Sequence, residues 1–242
     1  MRWCLAAALA ALAAGPAAAQ GITLSMGDGG GSLAGLSIQL FLLVTVISLA
    51  PGLLIMATCF PFIVTVLSIL RQAIGLQQSP PNMLIVSIGL VLTYYVMDPV
   101  FTEAWTTGVD PLLQEQIDTA TAIANIEAPF RGFMQARVDP ETLARMAALR
   151  GDAAQVAVDP AVPPLSVLIP SFLLSEIANA FQIGFLIFLP FMIIDLVVAA
   201  VLMSMGMMMV PPALVSLPFK LAFFAVANGW TLVSEALVRG YF

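Results

Sequence analysis

Between Gly29 and Leu70 this chain carries no charged residue, a run of 42 positions. About 20 apolar residues suffice to cross a bilayer as a helix, so this stretch belongs to a membrane protein or to a buried helical assembly. Pro51-Gly52 and Pro61 interrupt it. Proline removes a backbone hydrogen bond and clashes with the preceding turn. The run therefore predicts either one long kinked helix or two helices broken at Pro51. Composition agrees: 61% of the 242 residues are hydrophobic, 9% are charged, and mean hydropathy is +1.03. A soluble domain carries about 25% charged residues, and a disordered chain is poorer still in apolar groups.

Downstream the pattern repeats. Arg71 closes the first run, and Gln72–Asn82 (QAIGLQQSPPN) reads as a polar turn. Met83–Met97 is apolar but short for a span unless Val100 and Phe101 belong to it. Residues 98–159 then hold ten of the fourteen acids and four of the eight bases. Asp110-Pro111 and Asp139-Pro140 read there as helix starts, because Asp accepts from a free backbone N–H and Pro suits the first helical position. Leu113, Ile117, Ala120 and Ala124 fall on one helical face, as do Leu143, Met146 and Ala147, and Gly151 is placed to end the second helix. The segment is helical, too small for an independent core. From Leu165 to Phe242 the chain is apolar again, charged only at Glu176, Asp195, Lys220, Glu235 and Arg239. Phe181–Met205 and Ala213–Val238 are each long enough to cross.

The first residues set the expected compartment. Arg2 is followed by an apolar run from Leu5 to Ala14, a Gly15-Pro16 break and the small triplet Ala17-Ala18-Ala19. This predicts a secretory signal peptide cleaved between Ala19 and Gln20. The alternative, a short first membrane anchor, is disfavoured because the run is too short to span. Cleavage places the mature N-terminus outside the cytoplasm, Arg71 on the cytoplasmic side and residues 98–164 in the periplasm. That orientation agrees with the positive-inside rule on one residue only.

Several function classes are excluded by residue type. The net charge is −6 and there is no histidine. Nucleic-acid binding needs clustered Lys and Arg. The usual general base and the commonest metal ligand are both absent, and two cysteines cannot build a zinc cluster. No GxSxG, HExxH, P-loop or CxxC signature occurs. The sequence predicts neither an enzyme nor a cofactor.

Two sets of residues remain. Glu176, Asp195 and Lys220 stand in apolar sequence, where each costs about 2.5–3.5 kcal/mol at a helix centre. They form a proton or ion path, or a buried ion-pair network that fixes helix register or joins subunits, the excess carboxylate being protonated or paired with Arg71 or with another subunit. A proton-coupled pump would carry a longer carboxylate and histidine relay. Met203, Met205, Met207, Met208 and Met209 lie in MSMGMMMVPP. They are adaptable packing or a soft hydrophobic constriction able to close a pore by excluding water.

At this point the sequence resembles a known family. Pro170–Phe185 (PSFLLSEIANAFQIGF) resembles the first signature of the FliP family and Pro218–Trp230 (PFKLAFFAVANGW) the second. Arg71–Asn82 and MGMMMVPP are similar to that family as well. The resemblance covers nearly the whole mature chain. It implies a subunit of the flagellar type III protein export gate in the bacterial inner membrane, within the flagellar basal body. There several copies assemble with FliR and FliQ into a helical channel, FlhA and FlhB join on the cytoplasmic side, and unfolded rod, hook and filament proteins pass through. It implies that the methionine loop closes the channel, here Met207, Met208 and Met209 with Met205 beside them. It also implies bent hairpins largely packed against sister subunits rather than lipid, with Ala178, Ala180 and Gly184 allowing close helix contact.

The expected fold is thus an all-α membrane protein of about four hydrophobic helical units and a small polar helical excursion. Its expected divisions are a signal peptide (1–19), a Gly-rich mature start (20–35), a first hydrophobic hairpin (36–101), the polar segment (102–164) and a second hairpin with the methionine loop (165–242). The injectisome homologue is the nearest alternative, and an ion-coupled transporter using Asp195 and Glu176 is the alternative of another class.

Overall fold

The computed structural model describes residues 33–76, 79–149, 163–207 and 209–241. Among these residues all regular structure is helical. The signal-cleavage residues Ala19 and Gln20, the helix stop at Gly151 and Met208 lie outside the described residues. The chain divides into two compact units, Met1–Ser48 and Leu49–Phe242. In the first, Ile38, Phe41, Val44 and Ile47 of helix α1 (Leu33–Met56) are all exposed. An uninterrupted apolar helix with exposed side chains suits lipid or another chain, not water.

The second unit is built around α2 (Phe60–Ile74). Phe62, Ile63, Val66, Leu67, Leu70, Ala73 and Ile74 are buried along it, the i, i+3, i+4 stripe of a helix packed on its neighbours. The break before α2 does not fall at Pro51, as one reading of the sequence has it. α1 continues through Pro51-Gly52 to Met56, and the helix is broken at Ala57–Cys59 before α2 begins. Pro61 stands in the first turn of α2, where its missing N–H costs nothing.

α3 (Asn82–Ala104) packs beside α2 and includes Val100 and Phe101, despite Pro99. It continues through a π-helical turn, Trp105–Val109, into the short α4 (Asp110–Leu113). Together Asn82–Leu113 is long and apolar enough to cross a membrane. Two glycines let the helices close on one another. A Cβ on Gly89 of α3 would stand 2.5 Å from Val64, and one on Gly184 would stand 2.4 Å from Ile69. Both partners are side chains of α2, so α2 is gripped from two directions at backbone distance.

The polar segment folds as α5 (Thr119–Arg137) and α6 (Pro140–Ala148). The expected face Leu113, Ile117, Ala120 and Ala124 does not form. The chain reverses at Glu115, φ 56, and Leu113 is exposed. Asp110 does not cap a helix either, because Val109 before it is already helical and leaves no N-cap geometry. Its carboxylate accepts from the Gln114 side-chain amide at 2.8 Å. The caps are Asp118 and Asp139. Asp118 accepts from the Thr121 hydroxyl and the Ala120 N–H. Asp139 accepts from the hydroxyl and N–H of Thr142 at 2.7 and 2.8 Å.

These hydrogen bonds, the threonine hydroxyls foremost, hold both carboxyls below the ordinary carboxylate range. A depressed folded value stabilises the fold above the unfolded aspartate value of about 3.9. That contribution is lost as pH falls through the folded values. Amides of 119–148 should therefore lose protection on acidification below about pH 4, before those of α2. Equal loss in both regions would show that the caps do not govern the segment.

α7 (Leu165–Ser204) is a single 40-residue helix through Pro170 and Pro190. The span expected over Phe181–Met205 is its second half. The span expected over Ala213–Val238 is instead two helices, α8 (Pro212–Val226) and α9 (Gly229–Arg239), bent by 61°. The cause is local. Asn228 sits at φ 48, in the left-handed region that asparagine tolerates better than most residues. The Phe224 ring then occupies the place of a Cβ on Gly229, its nearest carbon 2.1 Å away.

Candidate functional site

Glu176 and Asp195 both belong to α7, and each binds a cation from a different element. Glu176 is fully buried. Its Oε1 accepts from Nε of Arg137, the last residue of α5, at 3.2 Å. Its Oε2 accepts from the hydroxyl of Tyr241. Nη1 of Arg137 donates to the Gly240 carbonyl at 2.8 Å, and its guanidinium carbon lies 3.8 Å from the centre of the Tyr241 ring. The planar fork of arginine serves several acceptors at once, which a lysine cannot do. Burial, reinforced by the neighbouring Glu176 carboxylate, pushes the Tyr241 phenol far above its ordinary value, so it remains a donor. Beside this centre the Asp139 N–H donates to Ser175 Oγ at 3.0 Å. The centre thus joins α5, α6, α7 and the segment after α9.

The second centre lies 19 residues further along α7. Asp195 Oδ2 accepts from Lys220 Nζ of α8 at 2.6 Å, and Oδ1 accepts from the Ser216 hydroxyl. The same ammonium donates to the Ala73 carbonyl at 3.1 Å, near the end of α2. The Lys220 head is buried, whereas the Asp195 side chain is 36% exposed.

The four residues that the sequence groups as one charge network are therefore separate. Asp195 and Lys220 meet. Glu176 meets neither of them. Arg71 is half-buried and donates to the Pro80 carbonyl and to Asn82 Oδ1, so it holds the polar turn before α3 and does not compensate a carboxylate of α7. Arg137 and Tyr241 carry no mark in an apolar-run reading, because Arg137 lies outside the apolar runs and Tyr241 is one uncharged aromatic at the edge of the last of them. The one local signal is Arg137 two residues before the Asp139 cap, in the last turn of a helix, where a cation is favoured. Of the small residues, Ala180 and Gly184 are buried, and Ala178 is exposed.

The methionine turn follows α7 directly. Gly206, φ 76, ends the helix in a Schellman arrangement. Its N–H donates to the Met203 carbonyl and the Met207 N–H donates to the Leu202 carbonyl, both at 3.0 Å. Pro212 then starts α8. A glycine stop and a proline start confine the reversal to a few residues. Met205, Met207 and Met209 are 66%, 41% and 97% exposed. An apolar groove of about 660 Å³ runs from this turn between α7 and α8, lined by Val201, Met205, Val215 and Phe219 among others.

These features define an all-α membrane protein whose long apolar helix α7 is tied to α5 and to α8 through paired charges. The FliP family sequence profile matches residues 43–237. The chain is 48% identical to the flagellar biosynthetic protein FliP of Agrobacterium fabrum, over 87% of this chain and 86% of the relative. It is 46% identical to that of Caulobacter vibrioides, over 98% and 88%. With that of Bacillus subtilis it shares 42% identity over 85% and 92%. The chain belongs to the FliP family of flagellar biosynthetic proteins.

Proposed function

We propose that this chain is a non-enzymatic subunit of the flagellar type III export gate in the bacterial inner membrane. Several copies, with FliQ and FliR, enclose a channel for unfolded rod, hook and filament proteins, and FlhA and FlhB engage it from the cytoplasm. Residues 98–164 face the periplasm. The methionine turn is the gasket of that channel.

The observation that carries this reading is the exposure of Met205, Met207 and Met209 on a turn pinned by Gly206 and Pro212. A folded monomer gains nothing by presenting three soft apolar side chains at a fixed reversal. A ring of such turns, one per copy, meets and excludes water when empty and re-packs around a passing chain, since methionine is unbranched and adaptable. Replacing Met207–Met209 by alanine should leave the complex assembled and make the membrane leak ions. Unchanged conductance would overturn the gasket. The ion-coupled transporter is less well supported, because Glu176 and Asp195 each have their own cation and no carboxylate relay links them among the described residues.

A further inference from the structure

α9 is bounded by two unlike devices. At its start the chain turns by 61° through Asn228 and Gly229. Beyond its end, Gly240 and Tyr241 are taken up together. Arg137 donates to the Gly240 carbonyl and lies over the Tyr241 ring, and the phenol donates to Glu176. The same ring meets Phe62 edge-on at 5.6 Å and stacks on Phe133 at 6.0 Å.

Between these ends one narrow stripe of the helix meets the main core. Its buried positions are Gly229, Val233 and Leu237. A groove of about 560 Å³, lined by Leu92 and Tyr95 of α3 and by Trp230 and Ser234 of α9, runs along its flank. Packing alone therefore does not seal α9 to α3. The far end is bound by side chains supplied by α5 and α7.

We infer that α9 is a hinged arm, with Asn228–Gly229 as its pivot and the Arg137–Glu176–Tyr241 cluster as its latch. Arg137 is the last residue of α5 within the polar segment, so a displacement of α5 withdraws the guanidinium and releases the arm. The arm is thereby coupled to the polar segment through its far end. The inference goes beyond the export reading and rests on the geometry of one chain.

Amide hydrogen exchange on the full-length protein in detergent tests it. Tyr241→Phe keeps the ring and removes one hydroxyl. Arg137→Lys keeps the charge and removes the fork. In both variants the amides of 229–239 should exchange about tenfold faster, the effect of about 1.4 kcal/mol, while those of 60–74 keep wild-type rates. Unchanged exchange over 229–239 in either folded variant would overturn the latch. Equal acceleration in both segments would also overturn it, since these two changes, which keep a counter-charge beside Glu176, would then loosen the whole fold and not the arm.

Discussion

Arg137→Met should lower the stability of the folded chain by about 3–5 kcal/mol, the cost of removing one partner from a buried pair. Methionine fills much of the arginine stem but leaves the Glu176 carboxylate in a site with no exposure. It also removes the donor to the Gly240 carbonyl and the cation over Tyr241. The double variant Arg137→Met/Glu176→Gln should recover a large part of the loss. A neutral amide no longer needs a counter-charge and still offers Tyr241 an acceptor. Thermal unfolding in detergent, read as a double-mutant cycle, measures the coupling. Additive single losses would mean that the two side chains are neighbours without being partners.

Lys220→Met should cost about 2 kcal/mol, in the range for losing hydrogen bonds to a charged group, and thus less than the first variant. The two centres have similar chemistry but differ in burial. Asp195 keeps the Ser216 hydroxyl and is partly exposed, so solvent takes over some of the ammonium's work. The Ala73 carbonyl, at the end of α2, loses its side-chain donor. If the exposed side of Asp195 faces a sister copy in the export gate, the detergent-extracted complex should also become smaller in native-size analysis. A complex of normal size with loss of an ion flux would instead favour the transporter reading.

Much of the helical fold was legible because hydropathy and proline report directly on helices. The apolar runs yield α1, α2, α3 and α7, and Asp139-Pro140 yields the start of α6. The departures share a cause: a local rule was overridden by a neighbour. Pro51 does not break α1. Pro61 enters the first turn of the next helix, and the break lies just before it. The segment Ala213–Val238 reads as one span because neither Asn228 nor Gly229 disrupts a hydropathy average. Only the Phe224 ring against Gly229 shows why the chain turns there. Asp110-Pro111 has the composition of a helix start but follows a backbone that is already helical.

The charged sites were legible in part, and for a physical reason. A carboxylate within an apolar run is conspicuous, so Glu176, Asp195 and Lys220 stand out. Their pairing depends on which helices are adjacent, and adjacency is not written in composition. Lys220 finds Asp195 because α7 and α8 are joined by a tight turn. Glu176 finds Arg137 because α5 packs back onto α7, and Arg137 looks like an ordinary solvated cation in a polar segment. Tyr241 is less visible still, being one aromatic residue near the end of a chain rich in aromatics.

The length of α7 carries one more consequence. At 1.5 Å per residue, its 40 residues extend about 60 Å, twice the ~30 Å hydrocarbon thickness of a bilayer. Glu176 and Asp195 are about 28 Å apart along it. The helix is therefore a ruler graduated by its own charges. If the stretch between them sits in lipid, each ion pair lies at one rim of the oily slab, and the methionine turn stands roughly 15 Å beyond the second rim. If the helix shifts lengthwise by about 15 Å, one ion pair lands at mid-depth of the ~30 Å slab, where only protein can surround it. Depth in the membrane and contact with other chains are thus a single variable for this protein, and fixing either one determines the other.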